Sequence, residues 1–102
     1  MMYYVDHEYG GNPANIERAK KITHDLQVND PLNCYICPLT AFSYLEYNEL
    51  GYEAEMELCL DLLSVCDVLI VASENISKGV DAEISFANSV GMDVIYLEDA
   101  TE

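Results

Sequence analysis

The chain combines short continuous apolar runs with longer segments in which apolar residues recur at helical spacing. Residues 67–72, Asp-Val-Leu-Ile-Val-Ala, are typical of a strand that is buried on both faces of a parallel sheet. Further β-prone runs at residues 1–6, 34–37 and 93–97 predict three more strands. The segments between these strands therefore decide how the sheet is connected.

Apolar residues three and four positions apart predict three helices in those segments. The first helix follows Asn12, a suitable N-cap, and has Pro13 in its first turn. The second helix follows Gly51, and the third spans residues 79–90 with Gly91 at its C-cap. The expected inward positions are, in chain order, Ile16, Ala19, Ile22 and Leu26, then Met56, Cys59, Leu60 and Leu63, and finally Val80, Ile84 and Ala87. The aromatic-rich segment before the second helix is expected to be irregular.

Strands that alternate with helices predict an α/β fold with right-handed crossovers and a parallel sheet. We expect the strand order 2-1-3-4 in a short flavodoxin-like or Rossmann-like three-layer domain. A chain of 102 residues corresponds to one domain. Its acidic end, residues 98–102, is expected to fray.

The charge balance of the chain restricts its partners. Nineteen acidic residues against four basic ones give a formal net charge of −15. Nucleic acids and anionic membranes bind clustered Lys and Arg, so we expect neither as a partner. The longest apolar run, residues 68–72, is far shorter than the roughly 20 residues that cross a bilayer. The first residues lack the basic start and apolar stretch of a signal peptide, and we expect a cytoplasmic protein.

The four cysteines invite a metal or redox interpretation, because Cys34 and Cys37 have C-x-x-C spacing. On a strand, however, these two side chains point to opposite faces. Cys59 and Cys66 are expected on one face of the second helix. We therefore expect small buried hydrophobic residues, with neither a metal site nor a cofactor.

Ligands of open parallel sheets bind beyond the carboxyl ends of the strands, where the strand order reverses. Here that point lies between the first and third strands, near residues 7–12 and 73–79. Gly10 and Gly11 predict either an anion site at a helix N-terminus or a tight turn. Glu83 lies one turn into the third helix, after Ser77 as N-cap and Gly79. It is either an ionised carboxylate at the cleft or a solvent-facing residue that interacts with the helix dipole.

Several stretches of the chain resemble the nucleoside 2-deoxyribosyltransferase superfamily, which includes the deoxynucleoside-monophosphate N-glycosidases. They are Asp-Val-Leu-Ile-Val-Ala-Ser at residues 67–73, Ser-Lys-Gly-Val-Asp-Ala-Glu at residues 77–83, and residues 3–19 and 87–97. The similarity is closest to small uncharacterised bacterial and phage members. It implies cleavage or transfer of a nucleoside or nucleotide N-glycosidic bond, without a cofactor.

The resemblance also assigns roles to individual residues. It implies that Glu83 is the nucleophile at C1′ and that the hydroxyl group of Tyr4 positions this carboxylate. We expect Tyr4 and Glu83 to approach each other at the carboxyl end of the sheet. The candidate substrate-binding residues are Asp6, His7, Tyr9, Gly10, Gly11, Ser77 and Gly79.

One departure from the family pattern keeps other functions open. The acidic residue expected on the second helix, eight positions before Asp67, is Cys59 in this chain. Cys59 cannot replace a carboxylic acid of suitable pKa. The alternatives are a non-catalytic module that binds a nucleotide or a nucleotide-derived signal in the same cleft, and an interaction protein without a ligand.

The second helix and residues 39–50 carry more apolar surface than one small sheet can cover. Pairing of two such surfaces about a two-fold axis would bury them. We therefore expect a homodimer or a dimer-based oligomer with these segments at its interface.

Overall fold

The computed structural model describes residues 1–97, which form four strands and four helices. In chain order they are β1 (Met2–Asp6), α1 (Pro13–Asn29), β2 (Cys34–Ile36), α2 (Pro38–Ala41), α3 (Tyr52–Ser64), β3 (Val68–Val71), α4 (Lys78–Ser89) and β4 (Asp93–Tyr96). None of the helices in this part of the chain is both long and apolar enough to cross a membrane. The predicted tail, residues 98–102, lies outside the described residues.

The sheet is parallel throughout, with the order β2-β1-β3-β4. This confirms the predicted α/β class and strand order of a flavodoxin-like or Rossmann-like three-layer fold. The central strands pair with Tyr4 opposite Leu69 and Asp6 opposite Val71. Because side chains alternate along a strand, Tyr4 and Asp6 share one face of β1 and Val5 lies on the other.

Each face of the sheet is covered by its own hydrophobic cluster. On one face α3 and α4 pack over the buried residues Tyr4, Leu63, Cys66, Leu69, Val71, Val80 and Ala87. On the other face α1 packs over Val5, Ala19, Ile22, Cys37 and Ala72. Every residue of β3 is buried, as its continuous apolar sequence predicts. Asp6 and Glu83 are acidic residues that are buried beside this apolar layer.

The predicted helix starts are confirmed at α1 and α4. Asn12 accepts a hydrogen bond from the backbone N–H of Ala14, and Pro13 occupies the first turn of α1. Ser77 likewise accepts a hydrogen bond from the N–H of Val80 at the start of α4. These caps fix where both helices begin at the carboxyl edge of the sheet.

Two expectations for the cysteines and one for a loop were wrong. Cys34 is exposed because it begins the edge strand β2, whereas Cys37 is buried. Cys66 follows α3 instead of lying on its face, since the helix ends at Ser64. The segment expected to be irregular begins with the short helix α2, which is too brief to show a hydrophobic period; Pro38 at its first position provides a suitable φ.

The core on the α3 side predicts a large effect of truncating Leu63, which is fully buried. We expect Leu63→Ala to lower the free energy of unfolding by about 2–5 kcal/mol, because it removes apolar contacts and leaves a cavity. Leu32→Ala is the matched control, since Leu32 is 94% exposed, and it should change stability by less than about 0.5 kcal/mol. Urea denaturation measures both, and equal effects would contradict this description of the core.

Candidate functional site

A cavity of about 450 Å³ opens at the carboxyl edge of the sheet. This volume lies within the roughly 300–1,000 Å³ typical of small-molecule sites. The cavity walls come from the loop after β1, from α2 and the segment after it, from the first half of α3 and from the start of α4. This is the edge at which the parallel topology predicts a ligand.

Glu83 reaches this cavity from α4 and is only 4% exposed. The hydroxyl group of Tyr4 donates a buried hydrogen bond to Glu83 Oε2. The expected approach of these two residues, 79 positions apart, is therefore confirmed. The alternative of a solvent-facing Glu83 is wrong, because the pairing of β1 with β3 places Tyr4 beneath the first turns of α4.

Asp6 lies beside Glu83 and is even more deeply buried, at 1% exposure. It lines the same cavity, and its carboxyl group lies close enough to that of Glu83 for the two to influence each other. Two carboxyl groups in this position can share a hydrogen bond only if one of them carries a proton. Asp6 Oδ2 has no hydrogen-bond partner within the described part of the chain. The site therefore contains a pair of buried carboxyl groups with one open oxygen atom.

The environment assigns the proton of this pair to Asp6. Burial raises the pKa of Asp6 well above its usual range, and the negative charge of Glu83 raises it further. Burial also raises the pKa of Glu83, but hydrogen bonds from Asp6 and Tyr4 oppose the shift. Glu83 is thus the ionised partner, stabilised by two donors, and Asp6 is the protonated one.

The other two titratable neighbours of Glu83 keep their protons at neutral pH. Burial, followed by the charge of Glu83, raises the pKa of Tyr4 well above its ordinary value, so Tyr4 remains a donor. Burial and the same charge raise the pKa of Cys59 to about 12. Cys59 is therefore a thiol that neither ionises nor donates a proton readily.

The loop after β1 contributes three of the predicted binding residues to the cavity, namely His7, Tyr9 and Gly10. His7 is buried, and its Nδ1 lies 2.8 Å from the carbonyl oxygen of Glu8, so that nitrogen carries the proton. Tyr9 packs edge-on against Tyr47, with ring centroids 5.2 Å apart. Tyr9 is thus held at the cavity wall by a second aromatic ring.

Gly11 is the one predicted binding residue that does not line the cavity. Its φ of +76° favours glycine, and a Cβ atom there would lie 3.1 Å from the Tyr47 ring. The tight-turn interpretation of this glycine therefore accounts for its surroundings. Ser77 and Gly79 do line the cavity, at the first turn of α4.

The face of α3 toward the cavity was missed by sequence reasoning. Met56 and Cys59 were assigned to the core, yet both line the cavity together with Tyr52 and Glu55. Only the second half of the apolar stripe, which includes Leu63, packs on the sheet. The signal was Glu55, an acidic residue one helical turn before Cys59 and on the same side of the helix.

The charged residues that line the cavity are mainly acidic. Its carboxylic acids are Asp6, Glu46, Glu55 and Glu83. Lys78 is the only Lys or Arg residue among the described lining residues, and its Nζ lies 4.6 Å from the centroid of the Tyr52 ring. Nowhere in residues 1–97 do three or more His, Cys, Asp or Glu side chains form a group that could hold a metal ion.

Comparison of the chain with protein-family models, with curated proteins and with solved structures gives no match.

The raised pKa values of Asp6 and Glu83 predict that stability falls as pH rises. Above about pH 4 an unfolded chain releases both protons, whereas the folded pair retains one. The free energy of unfolding should therefore decrease from pH 4 upward, until the pH exceeds the folded pKa of the pair.

Asp6→Asn removes the retained proton, so its stability relative to the unmodified chain should increase with pH. Thermal denaturation at pH 4, 6 and 8 measures this difference. Asp61→Asn, at an exposed position, should show a difference that does not change with pH. A pH-independent difference for Asp6→Asn would contradict the assignment of the proton.

Proposed function

We propose that this protein cleaves or transfers the N-glycosidic bond of a nucleoside, with the Glu83 carboxylate as nucleophile at C1′. The observation that carries the proposal is the buried carboxyl group of Glu83 at the cavity, which accepts a hydrogen bond from the hydroxyl group of Tyr4. Burying a carboxylate among apolar residues is costly, and such groups concentrate at functional sites. The resemblance to the deoxyribosyltransferase superfamily points to the same residue.

The geometry supplies what a displacement at an anomeric carbon requires. The transition state resembles an oxocarbenium ion, so a carboxylate close to C1′ stabilises its positive charge before the covalent bond forms. Tyr4 holds the carboxylate in one orientation through its hydroxyl group. Water or a second base then releases the sugar from Glu83. Neither a metal ion nor an organic cofactor is needed for these steps.

The charge of the cavity favours a nucleoside over its 5′-monophosphate. Even with Asp6 protonated, three other acidic residues and only one lysine line the cavity, so a phosphate dianion would be repelled. The backbone N–H groups at the start of α1 are also engaged, since Asn12 accepts hydrogen bonds from both Ala14 and Asn15. A 5′-hydroxyl group is uncharged, so it needs neither a positively charged lining nor free backbone N–H groups.

One observation favours a second function, a non-catalytic module that binds the same ligands. Cys59 stands where the resembling enzymes have an acid, and its pKa of about 12 makes it a poor proton donor. If no other group assists the leaving base, the cavity would bind a nucleoside without cleaving it. The two functions differ in one measurable product, the free base.

The test is a chromatographic screen of nucleosides and their 5′-monophosphates for released base. We expect release from nucleosides in preference to monophosphates, and a loss of roughly 10³-fold or more in Glu83→Gln. Glu57→Gln, at an exposed position on α3, is the matched control and should retain full activity. Melting shifts with nucleosides, without base release, would favour the binding module. Activity that survives in Glu83→Gln would exclude the proposed nucleophile.

We also propose a homodimer or dimer-based oligomer that covers the mouth of the cavity. Large apolar side chains remain exposed there, including Tyr44 at 75% and Tyr47 at 58% exposure. Leu50 and Tyr52 extend this surface toward α3. A patch of this kind is typical of an interaction surface, and a second copy of the chain presents the complementary patch under two-fold symmetry.

Light scattering at concentrations of about tens of micromolar tests this assembly. We expect a mass of at least twice 11.4 kDa, and dissociation in Tyr44→Glu because a buried charge would lack a partner. Val90→Glu, an equally drastic change at the opposite end of α4, should leave the mass unchanged. A monomer for the unmodified chain would refute the dimer.

A further inference from the structure

Asp6 combines three properties that the proposed role of Glu83 does not explain. Its carboxyl group is 1% exposed, it lines the cavity, and its Oδ2 has no hydrogen-bond partner in residues 1–97. Buried polar atoms in native proteins almost always have partners. An open oxygen atom at a cavity wall therefore points to a partner that arrives with the ligand.

The neighbours of Asp6 leave it as the group best suited to exchange protons with a ligand. The hydroxyl group of Tyr4 is already bonded to Glu83, and the Nδ1 proton of His7 is bonded to the carbonyl oxygen of Glu8. Cys59 and Cys37 are thiols that burial keeps protonated. A protonated carboxyl group is the strongest acid that remains.

We propose that Asp6 is the acid–base residue of this site, which protonates the departing nucleobase and then removes a proton from the water or acceptor. This inference rests on the proposed function, since it takes Glu83 as the nucleophile. It also gives the leaving base the assistance that Cys59 cannot provide. The acid would then come from β1 instead of from α3.

The pair of carboxyl groups returns to its original protonation state after one reaction cycle. In the first step Glu83 forms a bond to C1′, the C1′–N bond breaks, and the proton of Asp6 moves to the base. In the second step ionised Asp6 takes a proton from water while the water oxygen bonds to C1′ and Glu83 leaves. The pair carries one negative charge and one proton at the start and again at the end.

The interaction between the two carboxyl groups lowers the pKa of Asp6 at the step in which its proton is needed. The negative charge of Glu83 is one of the causes that raise the pKa of Asp6. When Glu83 becomes a neutral ester, this cause disappears and Asp6 becomes a stronger acid as the base departs. When Glu83 is released, its returning charge favours the proton on Asp6 again.

The experiment compares substrates whose bases differ in their need for a proton. The pairs are 2′-deoxyguanosine with N7-methyl-2′-deoxyguanosine, and 2′-deoxyuridine with 5-fluoro-2′-deoxyuridine. The second member of each pair has a base that leaves more easily without protonation. Asp6→Asn should lose roughly 10²-fold or more on the first member and clearly less on the second. Glu83→Gln should lose activity on both members.

Controls separate this role from a structural one. Asp61→Asn, exposed on α3, should retain full activity on every substrate. In Asp6→Ala, added formate should restore part of the rate on 2′-deoxyguanosine and 2′-deoxyuridine, because a small carboxylic acid can occupy the vacated space.

An equal loss on both members of a pair in Asp6→Asn, together with no rescue of Asp6→Ala, would overturn the acid–base role while leaving Glu83 as nucleophile. No base release by the unmodified chain from any of the four substrates would instead overturn the proposed function, and this inference with it.

Discussion

The register between β1 and β3 determines both the core and the site of this protein. It sets Tyr4 opposite Leu69 and Asp6 opposite Val71, so that both polar groups lie beneath α4. A shift of one residue would turn both side chains to the α1 face and leave Glu83 buried without a donor. The apolar sequence of β3 on both faces and the apolar layers above and below it hold this register in place.

The buried carboxyl pair does not stabilise the fold at neutral pH. Burial raises the pKa of both carboxyl groups, so the folded state loses stability wherever the unfolded chain can ionise freely. The hydrophobic clusters on the two faces of the sheet offset this cost. An apolar residue at position 6 would complete the layer that contains Leu69 and Val71. Asp6 at this position, with one oxygen atom unpaired, therefore destabilises the fold without a compensating structural role.

The sequence contained enough information for the strands, their order, both N-caps and the approach of Tyr4 to Glu83, because each depends on a local period or on a general rule of parallel sheets. It did not reveal the short α2, which has too few residues to show a period. The division of the α3 stripe into a cavity half and a core half was also hidden, since Met56 and Leu63 are equally apolar in sequence. The closeness of Asp6 to Glu83 depends on side-chain packing between distant segments, which no sequence period reports.

The proposed proton donor, Asp6, lies on a different element of the fold from residue 59. Family resemblance alone places an acid at position 59, where a thiol stands, and on that reasoning the cavity would only bind ligands. The structure brings a different carboxyl group, that of Asp6 on β1, beside the same Glu83. A proton donor needs reach and a suitable pKa, and it can come from any element that meets both conditions. The thiol of Cys59 therefore favours a non-catalytic module only if Asp6 fails to supply the proton.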